Sequence, residues 1–306
     1  MIYNSIEELI GHTPLLRLHK YAEAVGLTFV PLAKLEYMNP AGSVKDRTAL
    51  FMINDAERRG RLQAGGTIIE PTSGNTGVGM AMISRTRGYR LILTMPDTMS
   101  QERINLLKAY GAEVVLTSGE LGMGGAVEEA RRLNREIDGS VILGQFDNPA
   151  NASAHYHTTA EEIWTDTHGD IGTFIAGVGT GGTLCGTARK LRELKGESSI
   201  YIVGVEPASS PLITEGKSGE HKIQGIGANF IPGNYDNSLV DEVVDITNEE
   251  AVDAARLLAE TEGVLCGFSG GAVLAALAKC KQNLGETVVL IPDGGERYLS
   301  TDLYRR

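Results

Sequence analysis

The chain has 306 residues, 42% of them hydrophobic, which is enough for a large buried core and for two lobes rather than one. Its 28 basic and 39 acidic residues leave a formal net charge of -11, which argues against nucleic acid or an anionic membrane as the main partner. Cys185, Cys266 and Cys280 are an odd number without C-x-x-C spacing, so neither a disulfide framework nor a zinc site is signalled and no metal is expected.

The N-terminal MIYNSIEELI has neither a basic region ahead of an apolar run nor a cleavage site, and no later apolar stretch is long enough to span a bilayer. The expectation is a cytoplasmic protein. Short apolar runs then alternate with helical patterns, the signature of an α/β fold with a mostly parallel sheet covered on both faces. Strands are expected at TFVPLAKLE (28–36), GTIIE (66–70), RLILTMP (90–96), AEVVLT (112–117), TFIAGV (173–178), YIVGVEP (201–207) and TVVLIPD (287–293). Helices lie between them. The clearest follows Thr247, which forms a capping-box spacing with Glu250 and has Gly263 as its stop. Domain boundaries are expected near NPAGS and QFDNPAN, where the pattern is interrupted.

Among the segments that carry chemistry, NPAGSVKDR comes first in the chain. Ser43 and Asp46 have a capping-type spacing ahead of the helical RTALFMINDAERRG, so Lys45 falls in the first turn of a helix. The ordinary lysine is a solvated surface charge. Here the positive dipole end and the lack of room disfavour an ammonium, and a neutral amine or an imine to a cofactor suits the position better. EPTSGNTG follows GTIIE and sets Thr72, Ser73, Asn75 and Thr76 around a turn kept open by Gly74 and Gly77. Such a turn suits a carboxylate, although a capped helix start is the commoner use of this composition. In GVGTGGT, Gly177, Gly179 and Gly182 satisfy G-x-G-x-x-G, and Glu206 ends the next strand where a ribose-binding acid would stand, so a NAD-dependent dehydrogenase stays open. The same loop suits one phosphate monoester, held by glycine N–H groups and the hydroxyls of Thr180 and Thr183. A phosphate loop together with a desolvated lysine suggests pyridoxal 5'-phosphate, which needs an anchor for its phosphate and an amine for its aldehyde.

NPAGSVKDR, EPTSGNTG, MPDTMS, QFDNPAN, GVGTGGT and HKIQGIGANFIP follow one another between residues 39 and 232, with GHTPLLRL before them and IPDGGERYLST after. In this order they resemble the cysteine synthase (O-acetylserine sulfhydrylase) family of fold-type II pyridoxal phosphate enzymes, over almost the whole chain. The resemblance implies a two-lobed, tryptophan synthase β-like fold, each lobe an open, mostly parallel sheet with helices on both faces. Residues 1–38 and 150–306 would form a large cofactor-binding domain, and residues 39–149 a small mobile domain that closes on substrate. Lys45 would be the Schiff-base lysine and the base for the substrate's α-proton. Asn75 would bond the cofactor's 3'-oxygen, Gly179, Thr180, Gly181, Gly182 and Thr183 its phosphate, and Ser269 of GFSGGA its pyridine nitrogen. Thr72, Ser73, Thr76 and Gln145 would receive the substrate α-carboxylate. A hydroxyl at the pyridine nitrogen leaves it unprotonated, which favours β-replacement through an α-aminoacrylate over transamination. The family usually has a second serine where this chain has Gly270.

The activity so implied is synthesis of L-cysteine from O-acetyl-L-serine and sulfide. Cystathionine β-synthase-like use of serine and homocysteine, and cysteine-consuming release of sulfide, run on the same core and stay open. O-phosphoserine is disfavoured, because residues 221–232 offer Lys222 and no arginine to a phosphate leaving group. A homodimer, and the C-terminal tail of serine acetyltransferase as a partner, follow from the resemblance as well.

Overall fold

Apolar runs bounded by glycine and proline become the strands of two sheets, and the amphipathic stretches between them become helices. The structure, a computed structural model, describes residues 2–196, 199–282 and 284–305. In chain order the elements are β1 (Leu15–Arg17), α1 (His19–Val25), β2 (Leu32–Leu35), α2 (Lys45–Arg58), β3 (Thr67–Pro71), α3 (Asn75–Arg87), β4 (Arg90–Pro96), α4 (Gln101–Ala109), β5 (Glu113–Thr117), α5 (Gly122–Glu136) and β6 (Val141–Ile142). They continue with α6 (Pro149–Ala154), α7 (Ala160–Asp166), β7 (Ile171–Gly177), α8 (Gly182–Lys195), β8 (Tyr201–Pro207), α9 (Leu212–Glu215), β9 (Glu242–Ile246), α10 (Asn248–Glu262), α11 (Phe268–Ala276) and β10 (Glu286–Ile291). Two units divide the chain, Met1–Ile10 with Lys45–Asn151 and Gly11–Val44 with Ala152–Arg306.

The first unit holds a four-stranded sheet in the order β5-β4-β3-β6, parallel throughout. Its central strands are nearly continuous apolar runs because both faces are covered, with Ile69, Ile92 and Ala130 packed together on one of them. The N-terminal segment is fastened to this unit by Glu7, whose carboxylate accepts from Arg87 Nε at 3.0 Å and Thr86 Oγ1 at 2.9 Å. Arg87 also reaches Glu57 through Nη1 at 2.9 Å, so one guanidinium links residues 1–10 with α2 and α3.

In the second unit the order is β1-β2-β10-β7-β8-β9, parallel except for the antiparallel pair β1 and β2. One cluster of buried side chains includes Ile175, Leu258 and Phe268, and another includes Ile163, Phe174 and Leu191. RLILTMP and YIVGVEP form strands over the expected residues. TFVPLAKLE contributes only Leu32–Leu35, since Pro31 ahead of it has no N–H for the ladder. TVVLIPD leaves the sheet after Ile291 for the same reason: Pro292 follows, and its carbonyl instead accepts from Val44 N–H at 2.8 Å. The strands β1, β6 and β9 are additions to the expected set, the last an edge strand that alternates buried and half-buried residues. The capping box of α10 is present, with Thr247 Oγ1 accepting from Glu250 N–H at 3.2 Å and Glu250 Oε2 from Thr247 N–H at 2.8 Å. Gly263 ends the helix at φ 70°. Among the described residues no helix is long and apolar enough to cross a membrane.

Candidate active site

Six of the expected site residues fall at helix starts: Lys45 opens α2, Asn75 and Thr76 open α3, Gly182 and Thr183 open α8, and Ser269 sits in the first turn of α11. The first N–H groups of a helix have no intrahelical acceptor and carry the positive end of its dipole, so such positions favour anions. Lys45, Thr72, Ser73, Asn75, Thr76 and Gln145 belong to the first unit, and Gly179, Thr180, Gly181, Gly182, Thr183 and Ser269 to the second.

In the first unit, β3 delivers the chain to the EPTSGNTG turn, which closes on itself through Thr72 N–H to Glu70 O at 3.1 Å and Gly74 N–H to Thr72 Oγ1 at 3.3 Å. Thr72 and Thr76 are buried, Ser73 and Asn75 half-buried. Thr76 Oγ1 donates to Gln145 Oε1 at 2.6 Å, which brings QFDNPAN beside the turn. Asn151 Nδ2 donates to Gln145 O at 2.8 Å, and Thr48 Oγ1 to Asn151 Oδ1 at 3.1 Å. A line of hydrogen bonds thus joins the first turn of α2, which carries Lys45, to the first turn of α3.

Glu70 underlies both segments. Its carboxylate is buried and accepts from the N–H groups of Leu143 at 3.1 Å, Gly144 at 3.0 Å and Gln145 at 3.2 Å. Burial pushes its pKa up and the three N–H bonds pull it back, with the balance above the usual carboxylate range.

In the second unit, GVGTGGT turns from β7 into α8. Gly181 has φ +80°, and a Cβ on it would lie 2.7 Å from Tyr235 N, while a Cβ on Gly179 would lie 2.3 Å from Gly225 O. Both positions require glycine, one for its backbone angle and both for close backbone approach. Thr180 and Thr183 are buried here. Sequence reasoning missed His155, which is fully buried with Nε2 3.2 Å from Thr183 Oγ1 and Nδ1 2.9 Å from Thr159 Oγ1. His155–Thr159 form one π-helical turn, a local distortion common at functional sites, and the only signal in the sequence was the i,i+4 spacing of histidine and threonine.

A Cβ on Gly225 would meet Ser269 Oγ at 3.3 Å, so this glycine of HKIQGIGANFIP lies between the Gly-rich loop, which its carbonyl touches, and Ser269. The departure at Gly270 has a local cause: a Cβ there would meet Cys266 Cβ at 2.9 Å and Sγ at 3.1 Å. Glu206 is not available to a ribose. It is buried, and its carboxylate accepts from the N–H groups of Ile213 at 2.8 Å and Thr214 at 3.0 Å and from Thr214 Oγ1 at 2.6 Å, where it caps α9. The dinucleotide reading loses its acid.

A family model described as "Pyridoxal-phosphate dependent enzyme" matches residues 6–293. The chain belongs to this family, in its cysteine synthase branch. It is 50% identical to cysteine synthase A of Salmonella typhi, over 99% of this chain and 96% of that protein. Identity to the cysteine synthase of Staphylococcus aureus is 47%, over 98% and 97% respectively. Among solved structures, the cysteine synthase of Entamoeba histolytica superposes with a TM-score of 0.94 at 44% identity, over 99% of this chain and 91% of that one. The residues present fit pyridoxal phosphate. The second unit offers a glycine turn where only hydrogen fits, with buried threonine hydroxyls, at a helix start, and a hydroxyl at Ser269. The first unit offers the Lys45 amine at another helix start.

Proposed function

We propose that this chain makes L-cysteine from O-acetyl-L-serine and sulfide, breaking the Cβ–O bond to release acetate and forming a Cβ–S bond in its place. The observation that carries the reading is the coincidence of Lys45, Asn75, Thr183 and Ser269 with four helix starts, in a chain of the cysteine synthase branch. When bound, pyridoxal phosphate supplies an electron sink for the substrate's Cα. Lys45 would hold it covalently, Gly179, Thr180, Gly181, Gly182 and Thr183 would hold its phosphate, and Asn75 and Ser269 its ring oxygen and ring nitrogen. Lys45 Nζ takes the proton from Cα and is the group that returns it once sulfur is attached. Thr72, Ser73, Thr76 and Gln145 would bind the α-carboxylate and so present the substrate's Cα to Lys45. His155 orients the Thr183 hydroxyl. Ser269, which offers a hydroxyl in place of a carboxylate, would meet the ring nitrogen without favouring its protonation, which suits loss of a β-substituent.

The same reading gives cofactor binding to the second unit and gives the first unit closure on substrate and exclusion of water; residues 1–10, expected with 11–38 and 150–306, instead belong to the first unit, tied there by Glu7 and Arg87. It extends to a cytoplasmic homodimer in cysteine biosynthesis, with the serine acetyltransferase tail as a partner, both supported by the resemblance to the family. The test is to reduce the holoprotein with borohydride and map the modified peptide, with cysteine formation assayed from O-acetylserine and sulfide in parallel. Cofactor fixed to Lys45, its loss in Lys45→Ala, and cysteine as product are expected. A label on another lysine, or turnover of serine with homocysteine and none of O-acetylserine, would overturn the reading.

A further inference from the structure

The Gln145 segment has no regular structure of its own, yet it is held at several points. Its N–H groups at 143, 144 and 145 reach Glu70, its carbonyl at 145 reaches Asn151, and the Gln145 side chain reaches Thr76. Of these anchors Glu70 is the only carboxyl group, and it is 1% exposed. An anionic carboxylate offers about four lone-pair directions and accepts three N–H bonds without conflict, whereas a glutamine amide has one acceptor oxygen and an NH₂ that opposes any N–H aimed at it. The main-chain carbonyl of the same residue accepts from Thr72 N–H at 3.1 Å. One residue of β3 therefore sets both the EPTSGNTG turn and Gln145.

We propose that Glu70 is a positioning residue for substrate: its buried carboxylate holds the 143–145 backbone so that Gln145 meets Thr76 and stands ready for the α-carboxylate of the amino-acid substrate. This rests on the reading above that Thr76 and Gln145 receive that carboxylate. Glu70 acts through Gln145, by way of the 143–145 N–H groups it holds.

The test is a double-mutant cycle on the holoenzyme with Glu70→Gln, Gln145→Ala and the combined variant, measuring KM and kcat for O-acetylserine and cofactor content. A lost charge-assisted hydrogen bond raises KM by about tenfold or more, and Gln145→Ala is expected to do so. Glu70→Gln should raise KM in the same direction by no more than that, with kcat within about threefold of the parent and cofactor content kept. The combined variant should match Gln145→Ala, because removing the positioned side chain removes what Glu70 acts through. If the two effects multiply in the combined variant, Glu70 does not act through Gln145 and the proposal fails. It fails too if Gln145→Ala raises KM and Glu70→Gln does not. An unchanged KM in Gln145→Ala sinks the carboxylate assignment itself, and the proposal with it. Should Glu70→Gln not fold, Glu70→Asp keeps the charge and withdraws it by one methylene, and the same cycle applies with the same outcomes.

Discussion

Replacing Gly79 by alanine sets two known effects against each other inside the first unit. Gly79 lies in α3, and a Cβ on it would sit 3.1 Å from Lys45 O, 3.2 Å from Ala49 Cβ and 3.3 Å from Asp46 Cα. Helix propensity alone favours alanine by about 1 kcal/mol. Two of the three neighbours are backbone atoms of α2 and cannot rotate aside, so overpacking costs about 1–3 kcal/mol. The net is a loss of about 0–2 kcal/mol. Gly124→Ala provides the reference, since that glycine is an exposed position of α5 with nothing within 4 Å of its added Cβ, and it should gain about 0.4–1 kcal/mol. Urea unfolding of the two variants, followed by far-ultraviolet circular dichroism, should separate their midpoints in opposite directions. The α2 turn that must retreat also carries Lys45, so Gly79→Ala should lower kcat several-fold while Gly124→Ala leaves it unaltered. Equal stabilisation by both substitutions would refute the claim that α2 and α3 meet through the gap left by this glycine.

Gly181→Ala should weaken pyridoxal phosphate binding at least tenfold in a spectroscopic titration, because a left-handed residue with a Cβ costs about 1–2 kcal/mol and this Cβ also meets Tyr235 N at 2.7 Å. Unchanged affinity would remove the loop from the cofactor site. The Glu7–Arg87 link should fail in acid: burial raises the Glu7 pKa, but hydrogen bonds from Arg87 and Thr86 and the guanidinium charge outweigh it and leave the group below its ordinary 4.5. A depressed carboxyl adds stability above its unfolded value and gives it up as pH falls through the folded one. The stability gap between the parent and Glu7→Gln, about 1–2 kcal/mol at pH 7, should therefore shrink below about pH 4.5, and a gap that is constant with pH would exclude an ionic contribution.

The helix starts were the most legible part of the candidate site. Lys45, Asn75 and Thr183 each stand beside small or hydroxyl-bearing residues that end one element and begin another, and that chemistry is local to a few residues, whereas Ser269 came only from the family resemblance. Strands with both faces buried, such as RLILTMP, were legible because their apolar runs are uninterrupted. The edge strand β9 was not, since EVVDI carries charges at its edge and reads as a polar stretch. His155 and Glu70 were illegible for a different reason: each works through a partner far along the chain, Thr183 in one case and residues 143–145 in the other. Glu206 shows the opposite error, an acid at the right spacing for a ribose whose lone pairs are committed to the start of α9.

The interleaving of the two units has a consequence for the chain as it leaves the ribosome. All four strands of the first unit lie between residues 67 and 142, so its sheet can pair before β7 has been made. The second unit has no such freedom: β2 pairs with β1 on one side and with β10 on the other, Leu32 against Val288. Through most of synthesis the fully buried run Leu32–Leu35 therefore has a hairpin-like partner and one open edge. An open apolar edge is a template for pairing with another chain, and β7 keeps one too until β10 is made, so misassociation and chaperone capture should concentrate on these two stretches, longest on Leu32–Leu35, until the last strand arrives.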